Sequence, residues 1–333
     1  MTAPTILVTG GTGFLGAYII RELVQRDYRV RAIRRETSRL PTFIPADTWE
    51  KVEWVEADVL DVVALQEALA GIDTVVHAAA IVSFDPSNRK KMQQVNVQGT
   101  ANLVNLSLEA GVRRFVHISS VAALGRTASG EKVDETKVFA ESALNTAYAI
   151  SKYQGELEVW RGFAEGLEGV ILNPSTILGY GDWNSSSCAL FRQSYDAFPW
   201  YTNGVNGFVG VEDVTRAAVD LLETRVSMER FIVNADNWSF RQLMTGIAEN
   251  FGKRPPRREA TPLMGQIAWR WEKLRAFFTG KKPLLTRETA RVARSKTYFS
   301  AKKLEDALPA FRFTPLNEVI RNSCRRYLAE LSR

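Results

Sequence analysis

Apolar positions in the first 175 residues follow two alternating periods. Short runs read as strands: Ile6-Leu7-Val8, Arg29-Val30-Arg31-Ala32-Ile33, Val52-Glu53-Trp54-Val55, Thr74-Val75-Val76-His77, Phe115-Val116-His117-Ile118 and Val170-Ile171-Leu172. Between them the spacing becomes helical: from the first strand's turn to Arg26-Asp27, then over 61–69, 88–108 and 145–165. Strict alternation of this kind predicts an α/β fold built on a doubly wound parallel sheet, with ligand at the carboxyl ends of the strands. Past Pro174 the alternation breaks. Val211-Glu212-Asp213 reads as a short strand before a helix over 215–223, Phe231-Ile232-Val233 as a strand returning to the sheet, and helices dominate from Phe240 onward, interrupted at Pro255-Pro256 and over 280–283. The expected division is therefore residues 1–175, joined by 208–234, and a smaller, mainly helical C-terminal substrate subdomain of 176–207 and 235–333.

The turn after the first strand, Thr9-Gly10-Gly11-Thr12-Gly13-Phe14-Leu15-Gly16, opens the first helix. Glycines at 10, 13 and 16 let the backbone turn sharply, approach a ligand and pack the helix on the sheet. Free N–H groups and the positive helix end suit a pyrophosphate. A tight turn with no ligand is the competing reading. The strand before it and the helix after it favour a dinucleotide-binding Rossmann fold. Cofactor choice is written after the second strand, where an acid would accept the ribose 2′-hydroxyl; here Arg34 and Arg35 stand instead, and a guanidinium fork matches a 2′-phosphate. NADP is expected, with NAD as the alternative if both arginines are merely solvated charge.

Tyr148 and Lys152 lie four residues apart in a predicted helix and so project from one face. A free tyrosine, with a pKa of about 10, is a poor acid or base at neutral pH. A neighbouring ammonium and a positive nicotinamide ring would bring it toward the working range, so that Tyr148 could exchange a proton with a carbonyl oxygen as hydride moves. Ser119-Ser120 ends the fifth strand at the ligand edge, where a hydroxyl could hold the substrate oxygen.

Composition changes the picture little. The 333 residues carry a net charge of +6, but residues 1–250 hold 23 Lys and Arg against 30 Asp and Glu while residues 251–333 hold 20 against 7. The basic character belongs to the tail, and no nucleic-acid partner is expected. Two cysteines, Cys188 and Cys324, and two histidines, His77 and His117, support neither a disulfide framework nor a metal site. No apolar run is long enough to span a bilayer and the glycine turn leaves no room for a leader, so a soluble, cytoplasmic protein is expected.

With these residues in register, the sequence resembles the extended short-chain dehydrogenases/reductases, also called the NAD-dependent epimerase/dehydratase family. The matching pieces are Thr9 to Gly16, Ala57-Asp58, His77-Ala78-Ala79, Asn96-Val97-Gln98-Gly99-Thr100, Ser119-Ser120, Tyr148 with Lys152, and Asn173-Pro174-Ser175. The resemblance implies Ser120 as catalytic serine, Tyr148 as acid/base, Lys152 as ribose anchor and pKa modifier, and Asn96 as support for a proton-relay water. It implies cofactor contacts at Gly10, Thr12, Gly13, Phe14, Leu15, Gly16, Arg34, Arg35, Asp58, Val59, Ala78, Ala79, Ala80, Asn173, Pro174 and Ser175, besides Tyr148 and Lys152. Residues 30–35 look like the NADP-type second strand of dihydroflavonol reductases, and Lys296 to Leu304 like part of 3β-hydroxysteroid dehydrogenases. Sugar-nucleotide dehydratases of the family carry an acid beside the catalytic serine or threonine, whereas Val121, Ala122 and Ala123 follow here.

The leading reading is an NADP-dependent oxidoreductase that interconverts a ketone or aldehyde and an alcohol on a largely apolar small molecule. The aromatic density of Tyr180, Trp183, Phe191, Tyr195, Phe198, Trp200, Tyr201 and Phe208 motivates the apolar substrate, with core packing as the plain alternative. An NAD-dependent sugar-nucleotide epimerase is the alternative enzyme, and a non-catalytic NADP sensor binding a protein partner the alternative from another class. The resemblance also implies a homodimer through helices 88–108 and 145–165. In the tail, Leu263, Ile267, Trp271, Leu274 and Phe278 form an apolar stripe with basic flanks over 263–282, read either as a lid on the pocket or as a peripheral membrane contact.

Overall fold

The computed structural model describes residues 4–125, 132–140, 145–261, 264 and 293–332. The apolar stripe of 263–282 therefore lies outside the described residues, apart from Met264.

Seven parallel strands form the main sheet: β1 (Thr5–Thr9), β2 (Arg29–Arg34), β3 (Val52–Glu56), β4 (Thr74–His77), β5 (Arg114–Ile118), β7 (Gly169–Pro174) and β11 (Glu229–Val233), in the order β11-β7-β5-β4-β1-β2-β3. Helices cover both faces, which is why Ile6, Leu7 and Val8 can all be apolar and fully buried. Ile6 and Val8 join the core against α1 (Phe14–Gln25) and α8 (Val211–Leu222), and Leu7 joins the core formed with α3 (Val62–Leu69), α5 (Gly99–Glu109) and α6 (Ala147–Ala164). The strand order reverses between β1 and β4, the switch point where α/β sheets bind ligands. Asp61 caps α3 and Thr146 caps α6, each side chain accepting an N–H of the first turn.

The helix expected over 88–108 contains a wider turn. It runs as α4 (Arg89–Met92), a π-helical segment (Gln93–Gln98) and α5, so Asn96 sits in a bulge. The segment read as a strand at 211–213 is helix from Val211. Glu212 and Asp213 lie in its first turn, where the helix dipole favours acids, and the extended residues before it form β10 (Val205–Gly210).

Beside its helices, the second region carries short strands among the described residues. β8 (Thr176–Leu178), β10 and β12 (Asp236–Ser239) make a three-stranded sheet; β6 (Lys132–Val133) pairs with β14 (Tyr298–Phe299), and β9 (Trp200–Tyr201) with β13 (Arg258–Glu259). Its core joins Phe191 and Phe208 to Leu243 and Ile247 of α9 (Phe240–Asn250) and to Ile320 and Tyr327 of α11 (Leu316–Leu331), the last helix, which follows α10 (Lys302–Ala307). Tyr180, Trp183 and Tyr195 pack against the same cluster. Core packing accounts for most of the aromatic density in 180–208, although Phe198 remains 46% exposed. No helix among the described residues is long and apolar enough to cross a membrane.

Candidate active site

The glycine turn is closed by Gly13 N–H donating to the Gly10 carbonyl at 2.9 Å. Gly10 has φ +73°, and a Cβ there would lie 2.6 Å from the Ala79 nitrogen; one on Gly16 would lie 2.2 Å from the Gly10 carbonyl. Only glycine lets strand, turn and helix meet this closely, and the resulting concavity of main-chain N–H groups fits a dinucleotide pyrophosphate. Thr12, Phe14 and Leu15 follow at the partly exposed mouth. Ala78 and Ala79 continue β4 beside the turn, their N–H groups donating to Thr9 O and Thr9 Oγ1, both at 3.2 Å, and Ala80 is exposed. Val59, 5% exposed, packs against Gly99.

At the carboxyl end of β2, Arg34 lies 5.6 Å over the Trp54 ring and Arg35 reaches 4.0 Å from Asp58, with both partners of that pair exposed to solvent. Two guanidinium groups thus border the edge of the switch point. Asp58 also accepts the Leu60 N–H at 3.0 Å.

The two serines after β5 take different partners. Ser119 Oγ is buried and donates to Glu156 at 2.8 Å. Ser120 caps the short turn Val121–Leu124, its hydroxyl accepting the Ala122 N–H at 3.2 Å, and it lies beside Tyr148. Of the two serines, Ser120 is the one beside Tyr148. Tyr148 is half-buried, meets the Phe84 ring edge-on at 6.0 Å, and has its pKa raised by burial, against a smaller opposite pull from Ser120. On balance the protein's own groups raise it.

Lys152 is 3% exposed and donates to the Ile118 carbonyl at 2.8 Å. Burial pushes its ammonium down to about 8, with Glu156 pulling it back up. Asn96 is committed to the protein: its oxygen accepts Ile81 N–H at 2.7 Å, and its amide donates to Ile81 O at 2.9 Å and to Ser151 Oγ at 3.0 Å. It clips the segment after β4 to α6. Gly155 permits the approach, since a Cβ there would lie 2.3 Å from the Asn96 carbonyl.

Asn173 is fully buried and donates to Ser120 O at 3.0 Å and Glu156 Oε2 at 2.9 Å; Pro174 ends β7, and Ser175 is 5% exposed. Glu156 and Arg230, which meet at 3.0 Å, escaped the sequence reading, as did the pairing of His77 with His117, whose buried rings lie 5.2 Å apart. The available signal was Gly155: a glycine inside an amphipathic helix marks a close approach, and its neighbour Glu156 is carried inward with it.

The family model described as the NAD dependent epimerase/dehydratase family matches residues 6–233. The chain belongs to this family. Within it, the sterol demethylase protein B of Methylococcus capsulatus is 31% identical over 296 residues, covering 87% of this chain and 88% of that protein. A 3 beta-hydroxysteroid dehydrogenase/Delta 5-->4-isomerase of Mycobacterium tuberculosis is 28% identical over 330 residues, covering 90% and 83%. Among solved structures, gox2253 superposes with a TM-score of 0.82 at 28% identity, covering 98% of each chain. The chain is thus an extended short-chain dehydrogenase/reductase, an NAD(P)-dependent enzyme with a Rossmann-like sheet.

Proposed function

We propose that this family member is an NADP-dependent carbonyl reductase or alcohol dehydrogenase acting on a largely apolar small molecule. The observation that carries the reading is the Ser120–Tyr148 pair, seated beside buried Lys152 at the carboxyl end of β5. A bound nicotinamide nucleotide would supply the hydride. Burial keeps the Tyr148 phenol protonated through neutral pH, which suits donation to a carbonyl oxygen, and Ser120 orients that phenol. Lys152, Tyr148, Asn173 and the residues of the glycine turn would hold the nucleotide. The apolar substrate is supported by Phe84 against Tyr148 and by the steroid and sterol named in two relatives. The division into 1–175 with 208–234 for the nucleotide, and 176–207 with 235–333 for the substrate, belongs to the same reading.

NADP preference rests on Arg34 and Arg35. The double change Arg34→Asp, Arg35→Asn should shift preference toward NAD, because it removes the phosphate clamp and supplies a ribose acceptor. Titrating both nucleotides into both proteins checks this; a wild-type protein that already prefers NAD overturns it.

A homodimer through α4, α5 and α6 completes the proposal, with Leu157 of α6 46% exposed. Light scattering should give twice the 37.3 kDa chain mass at micromolar concentration, and a monomer there rejects it.

A further inference from the structure

Three neighbouring strands and the catalytic helix converge on one carboxylate. Glu156, one turn beyond Lys152 on α6, is 1% exposed. Its Oε2 accepts Ser119 Oγ from the end of β5 at 2.8 Å and Asn173 Nδ2 from β7 at 2.9 Å. Its Oε1 accepts Arg230 Nη1 from β11 at 3.0 Å and Trp160 Nε1 from α6 at 3.5 Å. The same Asn173 amide holds the Ser120 carbonyl at 3.0 Å, so the carboxylate is two bonds from the backbone of the catalytic serine. Arg230 reaches further, donating to the carbonyls of Glu135 at 2.7 Å and Lys137 at 2.7 Å. That segment carries Phe139, stacked on Tyr153 of α6 at 4.2 Å.

Burying a carboxylate this completely is costly unless it is paired and hydrogen-bonded, and a salt bridge placed there is weak evidence of stability for its own sake. We propose that Glu156 and Arg230 are positioning residues for the reaction: the carboxylate sets the charge of Lys152 and the placement of Ser120, and Arg230 sets how much of its negative charge Lys152 feels. The inference rests on the catalytic reading of Tyr148 and Lys152. The groups that act on the Lys152 ammonium are Glu156 on its own helix, His117 on β5, His77 on β4 and, behind Glu156, Arg230 on β11. Both imidazoles are fully buried and held neutral, so Glu156 is the one full charge of opposite sign in this group.

The sign of the effect separates this role from a brace. Removing the carboxylate takes away support for the lysine cation, whereas removing the guanidinium gives the lysine more of the carboxylate. The test is a carbon-13 NMR titration of the lysine Cε signals in nucleotide-free, full-length protein, with Lys152 assigned by the signal lost in Lys152→Arg. No turnover is involved, so a failed substrate assignment leaves the result standing. In wild type the Lys152 midpoint is expected near 8. Glu156→Gln should lower it by about one pH unit, Arg230→Met should raise it by about as much, and Arg230→Lys, which keeps the charge, should leave it near the wild-type value. Midpoints that stay put, or that move the same way in Glu156→Gln and Arg230→Met, overturn the proposal and leave Glu156 a packing brace. Should Glu156→Gln fail to fold, the contrast between Arg230→Met and Arg230→Lys still decides: a rise in the first alone supports it, and no rise refutes it.

Discussion

Tyr148→Phe is expected to lower turnover by about 10²–10⁴-fold on an accepted carbonyl substrate, with nucleotide affinity changed only a few-fold. The substitution removes the phenolic hydroxyl and little else, because the ring edge against Phe84 is retained. The hydroxyl beside Ser120 is then gone, and no other protonated group on α6 takes its place: Lys152 is held at the Ile118 carbonyl. Steady-state kinetics together with nucleotide titration check it. Turnover within a few-fold of wild type would remove Tyr148 from the chemistry.

Stability is expected to fall steeply as pH drops from 7 to 5, because of two buried histidines. His77 is fully buried, its ring nitrogens taken by Thr9 Oγ1 at 2.7 Å and Thr100 Oγ1 at 2.9 Å, and burial, with Lys152 adding to it, lowers its pKa to about 3. His117, its neighbour across β4 and β5, is buried with neither ring nitrogen hydrogen-bonded and lies well below the ordinary value for the same reason. The unfolded chain takes up protons on these imidazoles below about pH 6.5, and the native state does not. Their stabilising contribution is therefore complete above that value and lost as pH falls, reaching about 2 kcal/mol for His77 by pH 5, with His117 adding a loss of the same sign. Asp73 and Asp134, both lowered, lose their contributions mainly below this window, and Glu135, raised by burial, acts in the opposite sense at its acid end. Urea unfolding at several pH values should show the loss, and His117→Leu should roughly halve it. An unchanged slope in that variant would show that His117 is protonated in the native protein.

How far the sequence carries depends on whether a residue's environment is set locally or by the meeting of distant segments. Strands β1, β4, β5 and β7 were legible as short, mostly apolar runs of the kind that strands covered on both faces require, β2 and β3 by the alternation of Val, Ala, Ile and Trp with charged residues, and α3 and α6 by their helical spacing. The π-helical bulge at Asn96 was not, since one wider turn hardly disturbs the apolar spacing of the helix around it. Two-residue strands such as β6 and β14 carry no period of their own and exist because residues far apart in sequence meet. Lys152 and Glu156 at i and i+4 look like an ordinary solvated helix pair; burial by β5, β7 and β11 makes them something else. The aromatic run at 180–208 left pocket and core both open, and the fold favours core for Phe191 and Phe208, which are wholly buried among the side chains of α9 and α11 that only the tertiary fold brings beside them.

The reductase reading is tested most directly by following the hydride. NADPH deuterated at the nicotinamide C4 position would be incubated with the protein and a panel of apolar ketones and aldehydes, including steroid ketones, and the products analysed by mass spectrometry. The expected result is one deuterium on the carbinol carbon of an alcohol product, formed one for one with NADP, and absent with Tyr148→Phe. A protein that oxidises no NADPH, and is instead purified holding NAD that it does not release while interconverting sugar nucleotides, would contradict it.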